Sequence, residues 1–112
     1  MIKTLIISDL HLTNVELEKI KLFENFCKEY ASKADQVFIL GDLFNTWIGD
    51  DVSLSTFNEI IAILKELTKQ TKVFVMAGNR DFLLSRKFEI ESGCKLIKEP
   101  FELEHNSKKY LL

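Results

Sequence analysis

The chain has 112 residues, of which 46% are hydrophobic and 29% are charged, the composition of one soluble globular domain rather than a disordered or fibrous protein. Its formal charge of -2 argues against a domain that binds nucleic acid through a general positive field, so no nucleic-acid partner is expected. No apolar run approaches the roughly 20 residues that span a bilayer, and the first one is too short for a signal peptide, so we expect a cytoplasmic protein.

Three short apolar runs rich in β-branched residues are typical of parallel strands that are buried on both faces. They are Thr4 to Ile7, Val37 to Leu40 and Val73 to Ala77. The intervening stretches, Leu17 to Tyr30 and Phe57 to Leu67, carry apolar residues at helical spacing. The order strand, helix, strand, helix, strand predicts an α/β fold.

Local capping signals accompany both predicted helices. Asn14 is a candidate cap for the first helix, and Ser53 or Ser55 for the second. A third helical stretch from Leu84 to Glu91 ends at Gly93, a residue suited to the left-handed conformation that follows many helices.

The last part of the chain predicts short strands. They run from Cys94 to Lys98 and from Phe101 to Glu104, and a hairpin turn over residues 106–108 leads into a final strand from Lys109 to Leu112.

Five residues with reactive side chains have ordinary structural interpretations. Cys27 and Cys94 lie far apart, without a CxxC pattern, and are expected to be reduced, buried thiols. Asp50 and Asp51 are interpreted as a solvated turn before the second helix, with a contact to substrate as the alternative. His105 is expected in an exposed loop beside polar neighbours.

Polar side chains follow the carboxyl end of each of the three central strands, where α/β sheets place their ligand sites. The segments are Ser8-Asp9-Leu10-His11, Gly41-Asp42 and Gly78-Asn79-Arg80-Asp81. Carboxylate, imidazole and amide groups together suit divalent ions such as manganese, iron(II), zinc or magnesium. Each segment alone could be an ordinary turn or helix cap, but their joint placement at three strand ends predicts a metal site.

Backbone geometry supports the same prediction. Asp9 and His11 alternate in an extended segment, which would point both side chains the same way. Gly41 and Gly78 free the backbone for a tight turn and for close approach to an ion or a phosphate.

The same three segments resemble the first three blocks of the calcineurin-like metallophosphoesterases. Longer stretches, Ile39 to Phe44, Trp47 to Asp51 and Gly78 to Leu84, are similar to the UDP-2,3-diacylglucosamine hydrolases of lipid A biosynthesis. The resemblance implies a calcineurin-like metallophosphoesterase α/β sandwich. Residues 1–112 would be the N-terminal part of a single such domain, comprising the first βαβαβ units and the start of a further strand.

The resemblance also implies residue roles. Asp9 and His11 would hold the first of two divalent metal ions, Asp42 would bridge both, and Asn79 would bind the second, with manganese as the expected metal. Arg80 would clamp the phosphate, acting with Asp42 in catalysis, and Asn79 and Arg80 would bind substrate. The planar, always charged guanidinium of Arg80 suits that task.

The implied reaction is hydrolysis of the pyrophosphate bond of UDP-2,3-diacylglucosamine to UMP and 2,3-diacylglucosamine 1-phosphate. The two ions would activate water, orient the phosphoryl group and stabilise the developing charge. A lipid-bearing substrate implies peripheral contact with the cytoplasmic face of the inner membrane. Its acyl chains need an apolar slot, although Leu43, Phe44, Trp47 and Ile48 are better explained as ordinary packing.

The resemblance is incomplete at its end. Family members continue with a Gly-Asn/Asp-His block and a Gly-His-x-His block, and this sequence has neither. We therefore expect a truncated chain that binds metal poorly and is inactive unless the missing part is supplied. Two alternatives stay open: another calcineurin-like phosphoesterase, or a non-catalytic α/β binding module such as a receiver-like domain.

Overall fold

A computed structural model describes residues 3–47, 49–78, 83–98, 102–105 and 108–111. Four parallel strands form one sheet in the order β1-β2-β3-β4. Their bounds are Thr4–Ile7 (β1), Gln36–Leu40 (β2), Lys72–Met76 (β3) and Lys95–Ile97 (β4). The α/β prediction is confirmed, and the first three strands lie within one residue of the predicted positions.

Helices connect these strands. They are α1 (Leu17–Glu29), a 3-10 turn (Ala31–Lys33), α2 (Asp50–Thr56), α3 (Asn58–Thr68) and α4 (Arg86–Ser92). The predicted second helix begins earlier than expected and is divided at Phe57, whose backbone (φ -105°, ψ 29°) leaves the helical region. Gly93 follows α4 at φ +79°, as predicted.

The predicted helix caps are wrong in both cases. Before α1, the Glu16 amide donates a hydrogen bond to the Thr13 hydroxyl at 3.2 Å, so Thr13 rather than Asn14 supplies the side-chain acceptor. Ser53 lies inside α2, where its amide donates to the Gly49 carbonyl at 2.9 Å. Capping depends on where the chain enters the helix, and nearby Ser, Thr and Asn residues are equivalent candidates until that entry point is known.

The main core lies between one face of the sheet and helices α1, α3 and α4. Alternate residues of the central strands, such as Val37, Ile39 and Val75, point into it. The opposite face carries a smaller cluster centred on Phe38, which stacks on Phe74 with ring centroids 4.8 Å apart. β1 lies at one end of the strand order, and its Ile6 side chain is 49% exposed, so the prediction of a central strand buried on both faces is wrong for β1.

The last two strands pair with each other instead of joining the parallel sheet. β5 (Glu102–His105) and β6 (Lys108–Leu111) are antiparallel, and His105 faces Lys108 in the register. A hairpin is thus confirmed, while the expected loop position of His105 is wrong. The predicted turn residues Asn106 and Ser107 lie outside the described residues.

Both cysteines are buried free thiols, as expected. Burial raises the pKa of Cys27 and of Cys94 to about 12, so each is a protonated, apolar group of the core at neutral pH. Among the described residues, no helix combines the length and apolar character that crossing a bilayer requires.

Candidate metal centre

The loops that follow β1 and β2 run side by side beyond the sheet. The Asp9 amide donates to the Gly41 carbonyl at 3.2 Å, and the His11 amide donates to the Asp42 carbonyl at 2.9 Å. One residue further on, the Leu12 amide donates to the Leu43 carbonyl at 2.9 Å. Because the hydrogen bonding continues past the strand ends, the two loops share one backbone framework that holds their side chains in place.

The three acidic and imidazole residues on these loops have left-handed backbones. Asp9, His11 and Asp42 have φ values of +54°, +48° and +50°, and they are the only non-glycine residues with positive φ among the described residues. This conformation costs an L-residue about 1–2 kcal/mol. Such strain is concentrated at functional sites, where the surrounding structure enforces it.

The backbone at Asp9 and His11 differs from the predicted extended conformation. The prediction that Asp9 and His11 point the same way because they alternate in an extended segment is wrong, since neither residue is extended. They nevertheless converge, because backbone hydrogen bonds to residues 41–43 hold both of them beside Asp42. Gly41, at φ +83°, supplies the tight turn that was expected of it.

The side chains of this trio converge on one point. One ligand atom from each of Asp9, His11 and Asp42 lies within 4.8 Å of the other two. His11 Nε2 is 3.9 Å from Asp9 Oδ1, and the Asp9 side chain is 70% exposed. Two carboxylates and an imidazole at this separation, reachable from solvent, form a donor set that fits a divalent cation such as manganese, iron(II) or zinc.

Gly78 closes the site from the third strand. A Cβ atom built on Gly78 would lie 2.6 Å from the Asp42 backbone nitrogen and 2.9 Å from Asp42 Cγ. No side chain fits there, so the end of β3 can approach the Asp42 loop this closely only through glycine. Gly78 thus allows a close approach to Asp42, while the predicted approach to an ion or a phosphate remains a prediction.

A lysine supports the His11 turn from the helix side. Lys19 Nζ, on the first turns of α1, donates to the His11 carbonyl at 3.1 Å. This hydrogen bond gives the backbone carbonyl in the His11 turn a donor from α1.

The Asp50 carboxylate lies in surroundings opposite to the predicted ones. The residue is 8% exposed, so the prediction of a solvated turn is wrong. Its oxygens accept hydrogen bonds from Trp47 Nε1 (2.9 Å), the Ser85 amide (3.2 Å), Ser85 Oγ (3.0 Å) and the Phe88 amide (3.0 Å). Burial opposes ionisation, but the hydrogen bonds from Phe88, Trp47 and Ser85 outweigh it and hold the Asp50 pKa below its usual value.

Beside Asp50 lies an aromatic cluster formed by Phe44, Trp47, Phe57 and Phe88. All four rings are buried, and the Phe44 ring lies 4.6 Å from Trp47 and 4.9 Å from Phe57, centroid to centroid. The expectation of ordinary packing is confirmed for Leu43, Phe44 and Trp47, while Ile48 lies outside the described residues. The cluster forms a rigid support under the loop that carries Asp42.

Two of the predicted site residues, Asn79 and Arg80, lie outside the described residues. Their predicted roles as second-metal ligand and phosphate clamp therefore remain predictions. Gly78, which precedes them, and Leu83, which follows the segment, are described on either side.

Comparison with solved structures supports the architecture. The fold matches a nuclease from Pseudomonas putida with a TM-score of 0.66 at 18% identity, over 90% of this chain and 50% of the other. It also matches a protein of unknown function from Aquifex aeolicus with a TM-score of 0.60 at 22% identity, over 99% of this chain and 59% of the other. At these identities the likeness concerns the fold alone.

Sequence comparison finds longer curated relatives. The chain is 44% identical over 110 residues to a UDP-2,3-diacylglucosamine hydrolase from Azotobacter vinelandii, covering 97% of this chain and 46% of the relative. A UDP-2,3-diacylglucosamine hydrolase from Coxiella burnetii is 39% identical over 97% of this chain and 45% of its own length. The chain thus spans about half the length of these relatives.

The family-level resemblance extends over nearly every residue. The family model described as calcineurin-like phosphoesterase matches residues 2–111, a range that includes both loops of the Asp9, His11 and Asp42 cluster. This match favours the phosphoesterase interpretation over a receiver-like module. The chain belongs to the calcineurin-like phosphoesterase family.

Proposed function

We propose that the chain forms part of a metal-dependent hydrolase that cleaves the pyrophosphate bond of UDP-2,3-diacylglucosamine to UMP and 2,3-diacylglucosamine 1-phosphate. The observation that carries the proposal is the convergence of Asp9, His11 and Asp42 within 4.8 Å at the carboxyl edge of the sheet. The substrate is supported by relatives named UDP-2,3-diacylglucosamine hydrolase, which are 39–44% identical over nearly the whole chain.

The metal-binding roles follow from the chemistry of the donors. Asp9 and His11 would hold one divalent ion, Asp42 would bridge it to a second, and Asn79 would ligate the second through its amide oxygen. Asp42 suits the bridge because its carboxylate has two oxygens and a full negative charge. Manganese suits the mixed oxygen and nitrogen set. When bound, such ions lower the pKa of water and neutralise charge on the phosphoryl group.

The remaining steps belong to side chains of this protein. Arg80 would bind two phosphoryl oxygens with its planar fork of donors and orient the phosphoryl group for attack by water. Asn79 would contact the same group and help to fix its orientation. Backbone hydrogen bonds between the two loops hold the chain segments that carry Asp9, His11 and Asp42, so that little backbone reorganisation is needed as charge develops.

The direct test is release of UMP from UDP-2,3-diacylglucosamine with Mn²⁺ by this chain joined to the part of the Azotobacter vinelandii relative that it does not cover, with and without Asp42→Asn. The 112-residue chain alone is expected to be inactive. We expect release by the joined chain that depends on Mn²⁺ and falls to background in Asp42→Asn. Asp35→Asn is the matched control, because the Asp35 carboxylate accepts a hydrogen bond from the Lys3 amide (2.7 Å) just before the amino end of β2, away from the carboxyl end that carries Asp42. Equal release by the joined chain with and without Asp42→Asn would refute the proposed site.

A second substrate separates this proposal from the related phosphoesterases. Bis-p-nitrophenyl phosphate presents a phosphodiester without uridine or acyl chains, and we expect it to be cleaved more slowly than the UDP-lipid. Faster cleavage of the generic ester would favour another activity of the same family.

The proposed location of the protein depends on the proposed substrate. A substrate with two acyl chains resides in a membrane, so we propose a cytoplasmic protein with peripheral contact with the inner membrane. Co-sedimentation with vesicles that contain the substrate, compared with substrate-free vesicles, tests this contact. Binding to neither preparation would count against it.

A further inference from the structure

The backbone of His11 is hydrogen-bonded on both sides, by two different elements of the fold. Its amide donates to the Asp42 carbonyl at 2.9 Å, in the loop after β2. Its carbonyl accepts a hydrogen bond from Lys19 Nζ at 3.1 Å, from the first turns of α1. His11 therefore lies between the Asp42 loop and α1, and each of them holds one of its backbone polar groups.

The Lys19 contact acts where the backbone is strained. His11 has φ +48°, a conformation that an L-residue keeps only where surrounding contacts enforce it. On the β2 side, the amides of Leu12 and Asn45 continue these contacts, donating to the Leu43 carbonyl (2.9 Å) and the Leu12 carbonyl (2.8 Å). The contact from α1 is the hydrogen bond of Lys19, which is part-buried and has a charged donor, so it is stronger than a neutral hydrogen bond.

The charge of Lys19 does not itself favour a bound cation. A protonated ammonium group has three donors and no acceptor, so it has no lone pair for a metal ion. Its positive charge repels a cation that binds nearby, so the Coulomb interaction alone disfavours metal binding at Asp9, His11 and Asp42. A favourable effect of Lys19 on metal binding must therefore act through the His11 backbone, and the two effects have opposite signs.

We propose that Lys19 is a positioning residue of the metal centre, whose hydrogen bond to the His11 carbonyl stabilises the left-handed backbone that brings the imidazole beside Asp9 and Asp42. The inference rests on the proposed function, because the position of the His11 imidazole matters only if a metal ion binds there. Lys19 contacts the backbone of a metal ligand and is not itself a ligand.

The test compares Lys19→Met, Lys19→Arg and Lys21→Met in the full 112-residue chain. Methionine keeps most of the apolar stem and removes the donor and the charge, whereas arginine keeps both. Lys21→Met is the matched control, because it removes the same charge from an exposed position of α1, on the groove between α1 and α3. Neither lysine is fully buried, and methionine and arginine are good helix formers, so all three variants are expected to fold.

Two measurements report on the role of Lys19. Line broadening of amide NMR signals at residues 9–12 and 41–44 by added Mn²⁺ gives the relative affinity of the site in each variant. Amide hydrogen exchange of His11 and Leu12, with EDTA present, reports on the turn without metal.

We expect Lys19→Met to need about fivefold more Mn²⁺ for the same broadening, the factor that corresponds to the net contribution of one hydrogen bond. Lys19→Arg should restore most of the affinity, because a guanidinium also donates to a carbonyl. Lys21→Met should need no more Mn²⁺ than the unsubstituted chain, because loss of a positive charge does not disfavour a cation. With EDTA, the His11 and Leu12 amides should exchange about fivefold faster in Lys19→Met alone.

The outcomes separate this inference from the proposed function. Equal or tighter Mn²⁺ binding in Lys19→Met, or unchanged exchange of both amides, would overturn the positioning role and leave the metal site standing. Weaker binding that Lys19→Arg fails to restore, or that Lys21→Met shares, would do the same. Absence of broadening at residues 9–12 and 41–44 in the unsubstituted chain would refute the metal site and, with it, the positioning role.

Discussion

Asp42 and Asp50 lie eight residues apart, in the loop after β2 and at the start of α2, and their surroundings are opposite. Asp50 is buried and surrounded by donors, the indole, amide and hydroxyl groups of Trp47, Ser85 and Phe88. Asp42 is partly exposed, has a left-handed backbone, and shares its position with the Asp9 carboxylate and the His11 imidazole.

This difference shows how one residue type can serve structure or function. Donors around Asp50 stabilise its negative charge within the protein, as its lowered pKa indicates. The Asp9 carboxylate near Asp42 concentrates negative charge at an accessible edge of the sheet. A bound cation would relieve the repulsion between the two carboxylates. Removing the carboxylate should therefore weaken the fold at Asp50 and strengthen the metal-free fold at Asp42.

The largest expected effect is that of Asp50→Ala on stability. Truncation leaves the Trp47 indole and the Phe88 amide without their acceptor inside the core, at about 1–3 kcal/mol for each unsatisfied donor. We expect the free energy of unfolding, measured with urea, to fall by roughly 3 kcal/mol or more. A loss below that of Asp35→Ala, at an exposed carboxylate, would show that the Asp50 contacts contribute little.

Gly78→Ala tests the contact between β3 and the Asp42 loop. The added methyl group would lie 2.6 Å from the Asp42 nitrogen, so we expect a loss of about 1–3 kcal/mol and weaker Mn²⁺ binding. Gly49→Ala is the control, since Gly49 has φ +115° but open space around it. It should lose stability through backbone strain and keep Mn²⁺ binding, whereas equal Mn²⁺ binding in both variants would count against the contact.

Asp42→Gly should change stability by a smaller amount, and it should stabilise the metal-free chain. Glycine adopts φ +50° without strain and removes one of two neighbouring carboxylates, so the metal-free chain should gain about 0.5–1 kcal/mol after the entropic cost of glycine. The measurement is urea unfolding with EDTA present. Asp35→Gly, which relieves no positive φ, should lose stability. If both glycine variants lose equally, the backbone of Asp42 is not strained.

The smallest expected effect is on the pH dependence of stability. The folded Asp50 pKa lies below the ordinary value of 3.8, so its contribution is complete above pH 3.8 and is lost as pH falls through the folded pKa. Unfolding midpoints measured from about pH 5 to pH 3 should decline less steeply for Asp50→Asn than for the unsubstituted chain. Parallel curves would indicate that the Asp50 pKa is not lowered on folding.

Most of the fold could be predicted from the sequence, because the spacing of apolar residues and the composition of each segment determine its helices and strands locally. The β-branched runs at residues 4–7, 37–40 and 73–77 placed three strands to within one residue, and Gly93 marked the end of α4 correctly. The hairpin was also anticipated, although its first strand extends to His105.

The site was predictable in composition but not in geometry. Strand ends identified Asp9, His11 and Asp42, but their left-handed backbones depend on hydrogen bonds between two loops about 30 residues apart, which no local pattern encodes. Asp50 was missed for the same reason, since its donors lie up to 38 residues away. The one available signal was Ser85 near the start of the helical stretch predicted from Leu84, since serine is common at the cap position that Ser85 occupies before α4.

The most direct test of the central claim is a Mn²⁺ titration of the ¹⁵N-labelled chain, followed by the broadening of its amide NMR signals. If Asp9, His11 and Asp42 form the metal site, broadening begins at residues 9–12 and 41–44, disappears in Asp42→Asn, and persists at those residues in Asp50→Asn. Broadening that survives Asp42→Asn unchanged, or that spreads evenly over exposed carboxylates, would contradict it.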